Sequence, residues 1–399
     1  MVNVSKKGRG DAPLLKEAIL SQADESFLRE FAHVFATLSS QGLSHQKMEP
    51  AGSDQFTKTL ALVRRDPSFD CLLSLFKTRD GEPLATVASF MHTTEIKSVA
   101  AFGFLSFNSN FVSSTQQETS FSMSQVLDRT KEFGKEKGQK FAIGPINFSI
   151  WLSYRLKVSG FDVQYPWEPW GSPDFLSSLK SIKLNEVHSY RSEFYPLNKQ
   201  LMKKHLSDHQ RVMGGGVYEV IPVGSQRISE DLTRTLYRIT TESFSGSSDV
   251  YDKLPYPLFH SVYVPQVVGS NTSCSFLCRL KENEVNASSG RDTSQSEKEH
   301  SEVEGSPPDT GDIVAYVYGF IDKTGEKPVG VVKTIAVDPA HRRKGISNAL
   351  FHAVLQTFER QGVETVCSAL MKDGVISGSY SSQAELKEFH KYALFKYDF

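Results

Sequence analysis

The sequence predicts an α/β (α+β) chain of two successive halves, each a sheet flanked by helices. Short apolar runs rich in β-branched residues alternate with segments whose apolar positions recur at helical spacing. In the C-terminal half these run in the order β-α-α-β-β-β-α-β-α-β. The N-terminal half repeats the back of that order, and 399 residues are enough for two sizeable cores.

Residues 1–20 read as a flexible tail. Lys6, Lys7 and Arg9 are followed by Asp11, Lys16 and Glu17, so the apolar region of a secretory signal is missing. A first domain is expected over 21–195, with strands at 69–78, 83–92 and 98–107. The helix at 123–137 brings Val126, Leu127, Thr130 and Phe133 together, and a strand follows at 140–143. Next come Gly144-Pro-Ile-Asn147, an expected helix, and Gly160-Phe161. Tyr165, Trp167 and Trp170, set among Pro166, Pro169 and Pro173, read as a cleft wall or as packing between domains.

The second domain is expected over 196–399. Its pattern gives a strand at 218–222, a helix at 228–244 with Leu232, Leu236, Ile239 and Phe244 inward, and a second helix at 257–268. Strands follow at 273–280, 313–322 and 329–337, then a helix at 346–361 closed by Gly362, a strand at 363–370 and a last one at 391–399. Residues 281–312 are mostly Ser, Glu, Asp, Gly and Pro, too few apolar groups to offset ordering entropy. They read as a disordered acidic insertion between two strands, which lengthens a connection and leaves the core register intact.

The most informative stretch is 331–350. Val331, Lys333, Ile335 and Val337 fall on one face at period two, and Val332, Thr334 and Ala336 on the other. Asp338-Pro339 stops the strand, and from Ile346 the apolar positions switch to helical spacing. Between them lies His341-Arg342-Arg343-Lys344-Gly345. The first N–H groups of a helix lack intrahelical partners and carry the positive end of its dipole, so such a loop can hold an anion. Gly345 permits a positive φ or a close approach, and Ser347 is small. A basic surface turn has the same spacing. Neither Gly-x-Gly-x-x-Gly nor the Gly-Lys-Ser/Thr ending of a nucleotide loop is present.

A formal net charge of −1 argues against a general nucleic-acid binder. No apolar run reaches transmembrane length, so the expected setting is cytoplasmic, without a membrane partner. The four cysteines, Cys71, Cys274, Cys278 and Cys367, read as buried reduced thiols, since no spacing completes a zinc set; no metal is expected.

Arg342-Arg-Lys-Gly345-Ile-Ser347 resembles the acetyl-CoA pyrophosphate loop of the Gcn5-related N-acetyltransferase (GNAT) superfamily, Arg/Gln-x-x-Gly-x-Gly/Ala. Ile335-Ala-Val-Asp-Pro-Ala-His is similar to that family's strand-to-loop phrase, and Ser347 stands where Gly or Ala is usual. The order of the C-terminal half resembles the family's layout. In the N-terminal half, a strand ending in Gly144-Pro-Ile-Asn147, a helix, then Gly160-Phe161 resembles the degenerate first domain of tandem members, and 108–120, where a coenzyme loop would be expected, contains no Arg, Lys or Gly. The resemblance implies a mixed central sheet in each domain and acetyl-CoA as co-substrate, held by Arg342, Arg343, Lys344, Gly345, Ile346 and Ser347. It further implies a backbone donor for the thioester oxyanion from Ile335, Ala336 and Val337. The acceptor is expected to be an amine on a small molecule or peptide, and the chain a monomer or homodimer.

Tyr380 lies where family members place the acid that protonates the departing thiolate, although the Asn-x-x-Ala phrase of that helix is missing. Tyr392 and Tyr397 compete with it but belong to the last strand pattern. Lys333 stands where some members have a carboxylate base, a role open to an amine only at a much depressed pKa. Glu242 and His260 are the other base candidates, each equally readable as a surface residue. Two further readings are an acyl-CoA-binding sensor or scaffold without turnover, and an aminoacyl or long-chain acyl transferase of the same fold.

Overall fold

A computed structural model describes residues 3–5, 13–39, 51–92, 99–108, 121–152, 154–169, 171–226, 228–244, 255–268, 274–281, 313–373 and 388–399. The N-terminal half contains β1 (Asn3–Ser5), β2 (Leu14–Ile19), α1 (Glu25–Ser39), α2 (Ala51–Val63), β3 (Phe69–Lys77), β4 (Pro83–His92) and β5 (Ala100–Phe107). It continues through α3 (Met123–Glu136), β6 (Phe141–Gly144), β7 (Leu156–Ser159), α4 (Pro173–Lys180) and β8 (Leu184–Pro196). The C-terminal half opens with α5 (Lys199–Gly214), β9 (Tyr218–Pro222) and α6 (Glu230–Phe244). A continuous helical stretch follows, made of α7 (Tyr256–Leu258), a π-helical segment (Phe259–Tyr263) and α8 (Val264–Val268). Then come β10 (Phe276–Leu280), β11 (Ile313–Asp322), β12 (Val329–Val337), α9 (Ile346–Arg360), β13 (Thr365–Lys372) and β14 (Glu388–Asp398).

All of these strands join one mixed 14-stranded sheet in the order β1-β2-β3-β4-β5-β6-β14-β8-β13-β12-β11-β10-β9, with β7 paired to β14 off that path. Each half carries the same unit: an antiparallel meander, a helix, and a strand that returns parallel to the meander's last strand. In one half this is β3-β4-β5-α3-β6, and in the other β10-β11-β12-α9-β13. β14 lies between β6 and β8, so the last strand of the chain bonds to both halves.

Helix α1 buries Phe27, Leu28, Phe31, Val34, Phe35 and Leu38 on one sheet face, in a core that runs on to Leu236 and Ile239 of α6 and to Tyr263. On the opposite face, α3 and α4 pack over the N-terminal unit. Helices α5 and α9 do the same over the C-terminal one. All four cysteines are buried and free, and among the described residues no helix is long and apolar enough to cross a membrane.

Several expectations are corrected. Residues 14–19, expected within a flexible tail, form β2, which pairs with β3 from Leu14↔Lys77 to Ile19↔Leu72; alternation this short is hard to separate from loop. The helix expected after Asn147 is instead a run of turns leading into β7, with Ile146 bridged to Tyr154.

The strict period-two reading of 331–337 also fails. The β11·β12 register shifts between Tyr318 and Gly319, which pair with Thr334 and Val332, so Lys333 is the extra residue of a bulge. Val332, Ile335 and Val337 therefore share the α9 face, while Val331 and Ala336 pack on the other. Residues 282–312 lie outside the described residues.

The joint between the halves is a buried polar cluster. Lys157 Nζ lies 3.0 Å from Glu168 Oε2, and His390 Nδ1 lies 2.5 Å from Glu168 Oε1, all three side chains having no exposed surface. Tyr392 donates to Glu168, and its hydroxyl lies 3.0 Å from Ser192 Oγ. Burial pushes the Glu168 carboxyl up, but hydrogen bonds from His390 and Tyr392 and the charge of Lys157 hold it below its ordinary pKa.

Candidate functional site

The loop between β12 and α9 is braced by a side chain at nearly every turn. Asp338 Oδ1 accepts the Ala340 N–H at 2.9 Å, and Asp338 Oδ2 lies 2.7 Å from Arg238 Nη1 on α6. Arg342 Nη2 donates to the Ser243 carbonyl at 2.9 Å, and Lys344 Nζ to the Tyr218 hydroxyl at 3.1 Å. Tyr218 also lies 2.9 Å from His341 Nδ1, whose pKa is lowered by burial and by Lys344.

These anchors free the main chain. Arg343 has φ 62° and Gly345 φ 82°, both in the left-handed region. Among the described residues, the N–H groups of Arg343, Lys344, Gly345, Ile346 and Ser347 donate to no backbone acceptor, and α9 has no side-chain cap. A concavity of donors at a helix N-terminus is suited to hold an anion. Ile346 is buried and fixes the helix, whereas the Arg343 side chain projects into solvent.

Helix α5 closes one side of the loop. A Cβ on Gly345 would stand 2.3 Å from Arg211 Nη2 and 2.9 Å from Asp208 Oδ1, so any larger residue must displace that ion pair as well as adopt a φ of 82° that favours glycine. Asn348 Nδ2 donates to Asp208 Oδ2 at 2.6 Å. Sequence reasoning missed Asp208 and Arg211. Their i,i+3 spacing reads as an ordinary helix-surface pair, and nothing local ties them to Gly345.

The strand leading to the loop has an open edge. Parallel pairing of β12 with β13 runs from Val329↔Thr365 to Val332↔Ser368 and stops, although β12 continues to Val337. Along the other edge, Ala336 pairs with Tyr316 of β11, and Asp338 N donates to Val314 O. Ile335 and Val337 alternate with these, so their N–H groups turn toward the gap between the splayed strands. Ile335 and Val337 thus offer one set of main-chain donors at the free edge, Arg343 to Ser347 offer a second in the loop, and Ala336 between the first two bonds to β11. Behind it, Tyr263 donates to Thr334 Oγ1 at 3.0 Å, and Tyr316 lies 2.7 Å from Thr240 Oγ1. Burial lifts the Tyr316 phenol to about 12.

The N-terminal unit has the same splay, but its own chain fills it. Parallel pairing of β5 with β6 is limited to Ala100↔Ala142 and Ala101↔Ile143. Beyond it, Ile146 N donates to Phe102 O at 2.8 Å, and Asn147 Oδ1 accepts the Phe104 N–H at 2.6 Å. A Cβ on Gly103 would stand 1.8 Å from the Ile146 carbonyl oxygen, so the plug lies directly on the strand. Phe104 and Phe148, with Phe35 and Phe90, fill the remaining volume. Helix α3 starts with a capping box, in which the Ser122 N–H donates to Gln125 Oε1 at 2.8 Å.

The remaining candidates disperse. Tyr380 and Trp170 lie outside the described residues. Tyr392 belongs to the buried joint, and Tyr397 packs against Phe399. Glu242 is paired with Arg238 at 2.9 Å, beside Asp338, and His260 lies 3.9 Å from Glu230 at the surface. Tyr165 stacks on Trp167 and Phe194, and Trp167 meets Phe320 edge-on, so these rings pack between β8 and β11. No group of three or more His, Cys, Asp or Glu suited to a metal is found among the described residues.

Residues 281–375 match the family model of the acetyltransferase (GNAT) family. No curated protein sequence matches the chain significantly. Among solved structures, the chain is similar to a tandem GNAT protein from the clavulanic acid biosynthesis pathway, with a TM-score of 0.52 and 11% identity over 96% of this chain and 98% of that one. It is also similar to a GCN5-related glucosamine N-acetyltransferase region of a fungal multi-domain GH3 beta-N-acetylglucosaminidase (TM-score 0.48, 14% identity, 99% of this chain and 39% of that one). A third is a GCN5-related N-acetyltransferase from Sphaerobacter thermophilus (TM-score 0.45, 12% identity, 93% of each chain).

Proposed function

The chain carries a GNAT-family acetyltransferase domain at residues 281–375 in a tandem GNAT fold, and from that premise we propose that it transfers an acetyl group from acetyl-CoA to a primary amine by direct attack in a ternary complex. The observation that carries this reading is two sets of main-chain donors without a backbone acceptor among the described residues, Ile335 and Val337 on the free edge of β12 and Arg343 to Ser347 in the loop. A diphosphate fits the N–H groups of Arg343 to Ser347, with Arg342, Arg343 and Lys344 supplying positive charge. The pantetheine arm would add to the free edge of β12, which asks only for short apolar side chains such as Ala336.

At the far end, a free N–H from Ile335 or Val337 would hold the thioester carbonyl and meet the charge that grows on its oxygen as the amine attacks. The carbon–nitrogen bond forms, the carbon–sulfur bond breaks, and the amine's proton ends on the thiol of CoA. Tyr380 stays the proposed acid for that thiolate, on its place in the sequence. Isothermal titration with acetyl-CoA tests the binding half, and release of free thiol across an amine library tests the transfer. A CoA-binding sensor or scaffold is the second reading, favoured by the engagement of both base candidates with surface partners, Glu242 with Arg238 and His260 beside Glu230. It predicts binding heat with no thiol released from any amine.

A further inference from the structure

Two cations lie near the splay, Arg155 bonded to β13 beyond its last pair with β12 and Lys333 on β12 beside that same point, and neither has a carboxylate partner among the described residues. Arg155 is 7% exposed. Its guanidinium carbon lies 3.7 Å from the Tyr154 ring centroid and 4.1 Å from that of Tyr190. Nη1 donates to the Leu370 carbonyl at 2.7 Å, Nη2 donates to the Tyr154 hydroxyl, and the buried Nε has no partner. Lys333, the bulge residue of β12, is the first residue past the last β12·β13 pair. It is partly buried, and its Nζ makes neither a hydrogen bond nor an ion pair among the described residues.

Carboxylates on neighbouring elements are committed elsewhere, Glu168 to Lys157 and His390, and Glu193 to Arg191. Burial and the charge of Arg155 bring the Lys333 amine down to about 8, and burial brings Arg155 to about 9. Withdrawing two like charges from water and setting them against each other is unfavourable, and an anion placed beside them removes the conflict. Lys333 precedes Val337 by four positions, about 13 Å of extended strand, so this charge lies at the acyl end of the free edge and far from the diphosphate loop.

We propose that Lys333, backed by Arg155, binds a carboxylate of the acceptor, so that the amine acetylated belongs to an amino acid or another aminocarboxylate rather than to a polyamine. Lys333 makes the contact, and Arg155 adds its field from behind. The proposal rests on the acetyl-transfer reading and adds the substrate class to it. A polycationic acceptor would meet two like charges where this one meets opposite charge.

The test uses matched acceptors at saturating acetyl-CoA: each amino acid beside its α-amide and its decarboxylated amine. Thiol release is followed for the wild type, Lys333→Met and Lys333→Arg. The carboxylate member should show at least tenfold higher kcat/KM, mostly through KM. That preference should vanish in Lys333→Met and return in Lys333→Arg. Equal use of carboxylate and amide, or preference for the decarboxylated amine, overturns the proposal.

If no acceptor releases thiol, the melting temperature of the protein, with and without acetyl-CoA, reads the site directly. Succinate should raise it and succinamide should not, with the difference lost in Lys333→Met; no anion-dependent rise overturns the proposal. Failure of the coenzyme reading appears separately, as absent heat on titrating acetyl-CoA into the wild type.

Discussion

The two halves contain the same splayed pair of strands followed or preceded by the same helix, and they treat it in opposite ways. In the N-terminal unit, Ile146 and Asn147 bond the strand's free groups, four phenylalanines fill the space, and Ser122 with Gln125 caps the helix. In the C-terminal unit the free edge of β12 and the first turn of α9 find no backbone partner among the described residues. The difference is one of hydrogen-bond satisfaction. A splay whose main-chain groups are met internally is structure, and one whose groups are left open is a place for a ligand.

The largest effect is expected at Gly345. Gly345→Glu puts a side chain where φ is 82° and where Arg211 Nη2 would stand 2.3 Å from its Cβ, and it brings an anion against the proposed diphosphate. Affinity for acetyl-CoA by titration calorimetry should fall by about a hundredfold or more, since charge-assisted contacts are lost as well as space. Unchanged affinity would show that the open turn is not the coenzyme site, and the contrast between the halves would lose its functional meaning.

Next in size is Asn147→Ala, which removes the acceptor of a buried backbone N–H on Phe104. Leaving such a donor unsatisfied costs about 1–3 kcal/mol. The melting temperature should drop while acetyl-CoA affinity stays at the wild-type value. Acquired binding of a second equivalent would mean that the plug, and not the missing basic loop, keeps the N-terminal unit empty.

How much of this was legible follows from range. The strand at 329–337, the left-handed turn at Gly345 and the helix from Ile346 are set by local periodicity and by glycine's freedom, and both can be read along a single segment. The bulge at Lys333 was hidden because it exists only in the register with Tyr318 and Gly319. Asp208 meets Asn348 across 140 residues, and Arg155 reaches the Leu370 carbonyl across 215, distances over which one sequence has no signal. The helix expected after Asn147 failed for a related reason: this segment is the plug of the N-terminal splay, and its shape answers to Phe102 and Phe104 rather than to its own periodicity. Tyr380 lies outside the described residues and keeps only its sequence argument.

Lys333 gives a smaller effect with a defined pH dependence. Its amine titrates near 8 in the folded chain against an ordinary 10.5, through burial first and Arg155 second. Below about 8 the amine is charged in both states, and the folded state bears the full penalty. Between 8 and 10.5 the unfolded chain binds more protons, so the penalty fades as pH rises. Lys333→Met should therefore raise stability at pH 7, by roughly 1–2 kcal/mol after allowing for residual exposure. The gain should shrink through this window in urea melts. A gain independent of pH would mean that the substitution acts through packing and that the charge conflict at the open splay is small.

The smallest effect is expected at the helix entry of the filled unit. Ser122→Ala removes half of the α3 capping box, a loss of about 1 kcal/mol. It exposes N–H groups like those left free on α9, yet the sequence before it, 108–120, offers no Arg, Lys or Gly to draw an anion there. Stability should fall slightly, with acetyl-CoA stoichiometry and affinity unchanged in calorimetry. Adding the basic phrase is the sharper version: if Ser122→Gly together with lysines at 119 and 120 still fails to bind a second coenzyme, an open helix end and positive charge are insufficient. The free strand edge, present beside α9 and bonded by Ile146 and Asn147 beside α3, then carries the discrimination between the halves.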